Sequence, residues 1–283
     1  MFLTPPIQDL GGTGPPLLLT PANGFPPETF LPAFRPLQDR YQLLALPPRA
    51  LWPGVGSPPD QPGSLRPLAD DILRALDHHR IEPALAIGHS FGAVGLLLAA
   101  AREPERFLGL VLLDVTVMTR ARMAEVATLS PQGLEGRTPL ISGALNRRQQ
   151  FDTLEEAFDY WRDKPLFADW SDEALRCYTE AALAPDSNGY CLRWSGAWEA
   201  WYYRSFHTTT WDAVDRLPRD LPLLVVRGGT SHTFSAEAAV EFQKAAPNAQ
   251  VVTLPDQGHL FPQAAPGLTL ETVEPWLTRM SKS

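Results

Sequence analysis

Short apolar runs alternate with stretches of helical periodicity through the first 115 positions. Leu17-Leu18-Leu19-Thr20 reads as a strand left through Pro-Ala-Asn-Gly-Phe-Pro-Pro, and Tyr41 to Leu46 as a second, stopped by Pro47-Pro48. From about Leu65 to Arg80, Leu68, Ile72, Leu73 and Leu76 fall on one helical face, with Asp70, Asp71, Arg74 and Asp77 outward. Ala84 to Ile87 predicts a buried strand, Phe91 to Ala101 an almost wholly apolar helix, and Leu108 to Leu113 another buried strand. The alternation stops from about Val117 to Arg216. It returns with a strand at Leu221 to Val226, a helix from about Ala236 to Ala246, a strand at Gln250 to Leu254 and a last helix through Trp276. Short apolar strands alternating with helices imply a mostly parallel, doubly wound α/β sheet covered on both faces. The expected organisation is therefore an α/β core over residues 1–117 and 216–283, interrupted by a mainly helical insertion over 118–215.

Composition narrows the partners. With 283 residues, 44% of them hydrophobic, the chain can bury a large core. Its net charge of -8 and lack of a Lys/Arg block argue against nucleic acid or an anionic membrane. No apolar run approaches the roughly 18 residues of a membrane span, and the proline-bearing N-terminus does not read as a secretion signal. Cys177 and Cys191 cannot make a disulfide framework, and no Cys/His cluster has zinc spacing. The expectation is a cytoplasmic protein acting on a small molecule, with neither metal nor organic cofactor.

One motif changes the picture. Gly88-His89-Ser90-Phe91-Gly92 follows a buried strand and opens a buried helix, the setting a nucleophile elbow requires. The residues two before and two after the serine must lack bulk so that strand and helix can approach, and both are glycine. The turn lifts the serine Oγ above the sheet edge at a helix N-terminus, where developing negative charge is favoured. A serine hydroxyl still needs a base. Of six histidines, His78 and His79 end an exposed helix, His89 lies inside the elbow and His207 in the insertion. His232 follows the strand at 221–226. His259 follows the last strand, in a loop leaving the same sheet edge as the elbow, and Gly258 before it allows a tight turn. It is the expected general base.

These pieces resemble the α/β-hydrolase superfamily over nearly the whole chain outside the insertion. The matching segments are Asn-Gly-Phe-Pro at 23–26, Gly54-Val-Gly-Ser57, Gly88-His-Ser-Phe-Gly92, Leu-Leu-Asp at 112–114, Arg227-Gly-Gly-Thr-Ser-His232 and Gly258-His259. The resemblance implies a serine hydrolase whose insertion is a cap over the active site. It also implies that the backbone amides of Phe25 and Phe91 form the oxyanion pair. Where relatives often have His-Gly, this chain has Asn23, which reads equally as a polar contact to substrate or as a turn residue.

The larger departure concerns the acid. Relatives commonly carry Ser-Asp after the strand at 221–226, where this chain has Ser231-His232, and a histidine cannot stabilise an imidazolium. Asp114 is the best substitute. It ends a buried strand at the catalytic edge, 24 positions after Ser90, where a carboxylate needs a partner. The alternatives are a capping role for Asp114, Asp256 as the acid, or a dyad without one.

In the insertion, Trp194, Trp198 and Trp201 recur at i, i+4 and i+7, on one helical face. The plain reading packs the insertion onto the core. The sharper one has Trp198 and Trp201 lining an apolar pocket above Ser90 for a small to medium apolar or aryl acyl group. The expected activity is hydrolysis of a carboxylic ester through Ser90, His259 and Asp114. Other acyl chemistry (thioester, amide, lactone or C–C cleavage, or acyl transfer) is the alternative within enzymes. A non-catalytic small-ligand-binding role, favoured by the altered acid position, is the alternative outside them.

Overall fold

In the computed structural model, residues 3–60, 63–129, 131–205 and 209–281 are described; His207 lies outside them. The core opens with β1 (Gln8–Asp9), β2 (Pro16–Thr20), α1 (Leu31–Phe34), β3 (Gln42–Ala45), α2 (Arg66–His78), β4 (Ala84–His89), α3 (Phe91–Ala100) and β5 (Phe107–Leu113). Helices α4 (Arg120–Ala127), α5 (Pro131–Arg137) and α6 (Pro139–Leu145) then lead to β6 (Gln150–Phe151). After these come α7 (Leu154–Arg162), α8 (Asp172–Ala182), β7 (Leu183–Asp186), β8 (Gly189–Leu192), α9 (Gly196–Arg204) and α10 (Thr210–Arg216). The chain closes with β9 (Leu223–Gly228), α11 (Ala236–Ala245), β10 (Ala249–Leu254), α12 (Phe261–Ala264) and α13 (Pro266–Met280).

Seven strands form one sheet in the order β1-β3-β2-β4-β5-β9-β10, parallel throughout except for β1, a two-residue antiparallel edge. This is the mostly parallel, doubly wound α/β sheet that the sequence predicts. Every residue of β4 and of β9 is buried, as expected of central strands with helices on both faces. The pleat divides β2 between two cores. Leu18 packs with Ile72, Leu76 and Leu97 from α2 and α3, whereas Leu17 and Leu19 pack with Phe34 and Trp276 from α1 and α13.

Between β5 and β9 the chain is mainly helical, but it also holds a small antiparallel sheet, β6-β8-β7, that the sequence reading does not anticipate. Its strands are too short for a period-2 pattern to register. The local signal was in the turn: Ser187-Asn188 joins β7 to β8, and Gly189, which opens β8, stands at φ 112°. An aromatic cluster that includes Phe151, Trp161, Trp170, Tyr178 and Trp194 fills this segment, and Ala22 and Phe25 from the loop after β2 join it. The segment is thus seated on the C-terminal edge of the main sheet.

Candidate active site

Ser90 sits between β4 and α3 at φ 55° and ψ -118°, a strained backbone for a residue with a Cβ. The flanking glycines make the turn sterically feasible. A Cβ at Gly88 would lie 2.7 Å from the Ala93 backbone, and one at Gly92 only 2.1 Å from the Thr20 carbonyl oxygen. Helix α3 and the end of β2 are in direct contact there, so neither position tolerates a side chain.

The neighbouring strand ends converge on that serine. His259, in the loop after β10, has Nε2 3.0 Å from the Ser90 Oγ. Its Nδ1 lies 2.7 Å from Oδ2 of Asp114, which follows β5 directly. The carboxylate only accepts, so Nδ1 carries the proton and Nε2 is left to accept from the serine hydroxyl. Asp114 is fully buried; its Oδ1 accepts from the Gly228 amide at 2.8 Å and its Oδ2 from the Ser231 hydroxyl at 2.5 Å. Its backbone, at φ 40°, is in the left-handed region that Asp tolerates better than most residues. His232 and Asp256 are exposed. The position that usually bears the acid therefore contributes through its neighbour Ser231, which braces the Asp114 carboxylate.

Two further residues shape this centre. Thr116 Oγ1 is 3.2 Å from Ser90 Oγ. His89 is fully buried, and its Nε2 donates to the His259 carbonyl at 3.0 Å. Burial, reinforced by the nearby His259 ring, pushes the His89 imidazole down to about 3, so it is neutral at ordinary pH. It ties the His259 loop to the elbow. The sequence places His89 inside the motif but offers no local sign of that tie, because its acceptor is 170 residues away.

On the opposite flank, Phe91 is the first residue of α3, so its N–H has no intrahelical acceptor. The Phe25 N–H makes a long 3.2 Å bond to Ala22 within its turn, while its ring packs against Trp170 and Tyr178. Asn23 donates Nδ2 to the Glu199 carbonyl of α9 at 3.0 Å. The Glu199 side chain presses on the same loop: a Cβ at Gly24 would come within 2.9 Å of its carboxyl carbon.

The alpha/beta hydrolase fold family matches residues 32–262. The chain belongs to this family. Among the relatives of this hydrolase, a 2-(acetamidomethylene)succinate hydrolase from Mesorhizobium japonicum is 25% identical over 262 residues, 93% of this chain and 87% of that protein. A crystal structure of E-2-(acetamidomethylene)succinate hydrolase superposes with a TM-score of 0.79 at 23% identity, covering 96% of this chain and 94% of the other. An esterase of Thermogutta terrifontis matches with a TM-score of 0.66 at 21% identity, over 97% and 93% of the two chains. Family and relatives together support a hydrolase. No helix among its described residues is long and apolar enough to cross a membrane.

Of the tryptophan stripe of the hydrolase, Trp198 and Trp201 lie on α9, whereas Trp194 precedes the helix, so the single helical face expected of all three holds for two. Trp198 donates Nε1 to the Gly56 carbonyl at 2.7 Å and meets Trp201 edge-on at 6.0 Å between centroids; both belong to the α2–α3 core cluster. Trp194 turns to the insertion's own aromatic cluster. The residue of α9 that reaches the cavity beside the loop after β2 is Tyr202, with Asn23 and Phe91 across from it. Helical periodicity marked the buried face but could not say which of its side chains would border open space.

Proposed function

We propose that the protein hydrolyses a carboxylic ester through an acyl-enzyme on Ser90. The hydrogen-bonded line from Asp114 through His259 to Ser90, with the serine held in its strained turn, carries this reading. Ser90 attacks the ester carbonyl as His259 Nε2 takes its proton. Asp114 keeps the ring in the tautomer that can do so and stabilises the imidazolium. The Phe91 amide, joined by that of Phe25 when it leaves its long turn bond, holds the oxyanion. His259 returns the proton to the departing alcohol; a water then repeats the cycle on the acyl-enzyme and frees the acid. The same line of bonds argues against a purely ligand-binding role.

Residues 118–215 act as the cap in this reading, supported by the Asn23–Glu199 contact and by Phe25 within the insertion's aromatic cluster. A cytoplasmic setting fits the two free thiols, of which Cys177 is pushed up to about 11, chiefly by burial. A second reading, hydrolysis at the amide of a small acid, is favoured by the 25% identical relative named for an acetamidomethylene succinate.

Intact mass after treatment with a fluorophosphonate, followed by a panel of aryl esters and the matching anilides, tests both. The expected result is one adduct, lost in Ser90→Ala, with esters turned over at least about 100-fold faster than anilides. Faster anilide turnover would install the second reading. The absence of any adduct together with the absence of turnover would overturn the serine mechanism.

A further inference from the structure

We propose that the cavity on the β2–β3 side of Ser90 receives the acyl group of the substrate, and that this acyl group is uncharged. The inference rests on the ester-hydrolase reading and follows first from the order of the strands. Ser90 ends β4. The base and the acid come from the loops after β10 and β5, on one side of β4 in the sheet. The cavity lies on the other side. Its walls are the end of β2 and the loop after it (Thr20 to Asn23), the loop after β3 (Leu46 to Arg49), and the facing parts of α2 and α3.

The chemistry assigns the two sides. In the tetrahedral intermediate the carbon bears the serine oxygen, the oxyanion, the leaving group and the acyl substituent. The oxyanion takes the amide donors at Phe91 and Phe25. The leaving oxygen has to lie within hydrogen-bond reach of His259 Nε2 to receive its proton. The acyl substituent is then directed away from His259, toward β2 and β3. An open space stands there, bounded by Asn23 and Phe91. Leu68, Ile72, Pro47 and Pro48 give it apolar walls. Gly95 lets α2 pack closely on α3 at its floor, where a Cβ would meet the Ile72 Cδ1 at 2.9 Å.

Its electrostatics set the class of acyl group. Among the described residues lining the cavity, Arg49 is the one basic residue, and it is already committed. Its Nε donates to Asp71 Oδ2 at 2.9 Å and its Nη2 to Oδ1 at 2.5 Å. The Asp71 side chain is 5% exposed and faces the same space, so a second carboxylate would be desolvated beside it without a free cation. A neutral aliphatic or aryl acyl group meets no such cost.

The test uses p-nitrophenyl acetate, p-nitrophenyl hexanoate and the carboxylate-ended mono-p-nitrophenyl adipate, with fluorophosphonate labelling of Ser90 run in parallel. The wild type is expected to favour hexanoate over the adipate monoester by about 100-fold in kcat/KM. Ile72→Phe narrows the cavity and should lower the hexanoate-to-acetate ratio about ten-fold. Leu68→Phe, at a half-buried wall position, should shift it the same way. Asp71→Asn frees the Arg49 charge and should raise the adipate-to-hexanoate ratio about ten-fold. If Ser90 labels normally but neither phenylalanine variant moves the ratio, the cavity is not the acyl site, and the ester reading stands without it. Equal or better use of the adipate monoester by the wild type overturns the uncharged class. No adduct and no turnover overturn this proposal together with the reading beneath it.

Discussion

Two carboxylates are buried on opposite flanks of Ser90, and they are neutralised in different ways. Asp114, at the end of β5, is held by a backbone amide, the Ser231 hydroxyl and the His259 ring, with no guanidinium among these partners. Glu199, on α9 of the insertion, accepts from Arg147 Nη2 at 2.8 Å, Trp194 Nε1 at 3.3 Å and the Tyr203 hydroxyl. Burial raises the Glu199 carboxyl above its ordinary range against the pull of Arg147. A carboxylate cancelled by a nearby guanidinium has little field left to offer a third group. One held only by neutral donors keeps its charge for an imidazole that becomes positive during turnover. In the proposed mechanism this difference gives chemistry to Asp114 and placement to Glu199, whose carbonyl accepts from Asn23 of the loop after β2 and whose carboxylate lies against Gly24.

The largest effect that can break this contrast is Asp114→Asn. The amide retains much of the volume and can still accept from Gly228, but it no longer demands the Nδ1–H tautomer or balances an imidazolium. Turnover should fall by about 10^4 with the melting temperature little changed. Steady-state kinetics beside a thermal melt check this. A loss below about ten-fold would mean that the acid is elsewhere, or that the serine works with His259 alone.

Arg147→Met should behave in the reverse way. Removing the guanidinium leaves the Glu199 carboxylate buried without its cation, a loss of about 3 kcal/mol in urea unfolding. The double change R147M/E199Q removes the stranded charge as well and should recover most of that loss. Activity per folded molecule should fall far less than in Asp114→Asn. Equal damage to turnover would erase the distinction between the two carboxylates.

How much of this was legible in the sequence depends on how local the cause is. The elbow was legible because its constraint lies within five residues: Gly88 and Gly92 are glycines for contacts that any strand–serine–helix turn must make. The core strands were legible because central parallel strands are apolar along their full length. Asp114 could be singled out by its place at a strand end, but Ser231 could not, since its value lies in an oxygen 117 residues away. The Arg147–Glu199 pair spans 52 residues and leaves no periodic mark, so the pairing has no local signature in the sequence. In the tryptophan stripe, periodicity gave the helix and its buried face for Trp198 and Trp201 but wrongly extended it to Trp194. The partners, Gly56 for Trp198 and the α2–α3 core for Trp201, are set by packing between distant segments.

The smallest effect concerns His89, which bridges the two kinds of control: it lies in a legible motif yet works through a distant carbonyl. Its ordinary value of 6.5 applies to the unfolded chain, and burial lowers it to about 3 in the fold. Between those values the unfolded chain binds one more proton than the folded one. Stability from this group is therefore complete above pH 6.5 and is lost as pH falls toward 3, at up to about 1.4 kcal/mol per pH unit. His89→Gln retains an N–H donor for the His259 carbonyl but removes the titration. The variant should be less stable than the wild type at pH 7.5, because its amide leaves more polar surface to bury. It should then lose about 2 kcal/mol less than the wild type between pH 7 and pH 5. Urea unfolding of both proteins at the two pH values gives that difference directly, with the other carboxylates and histidines common to both. Parallel losses would mean that the His89 ring takes up its proton inside the folded protein. The tie between the elbow and the loop of the base would then loosen in mild acid, and turnover by the wild type should fall over the same interval.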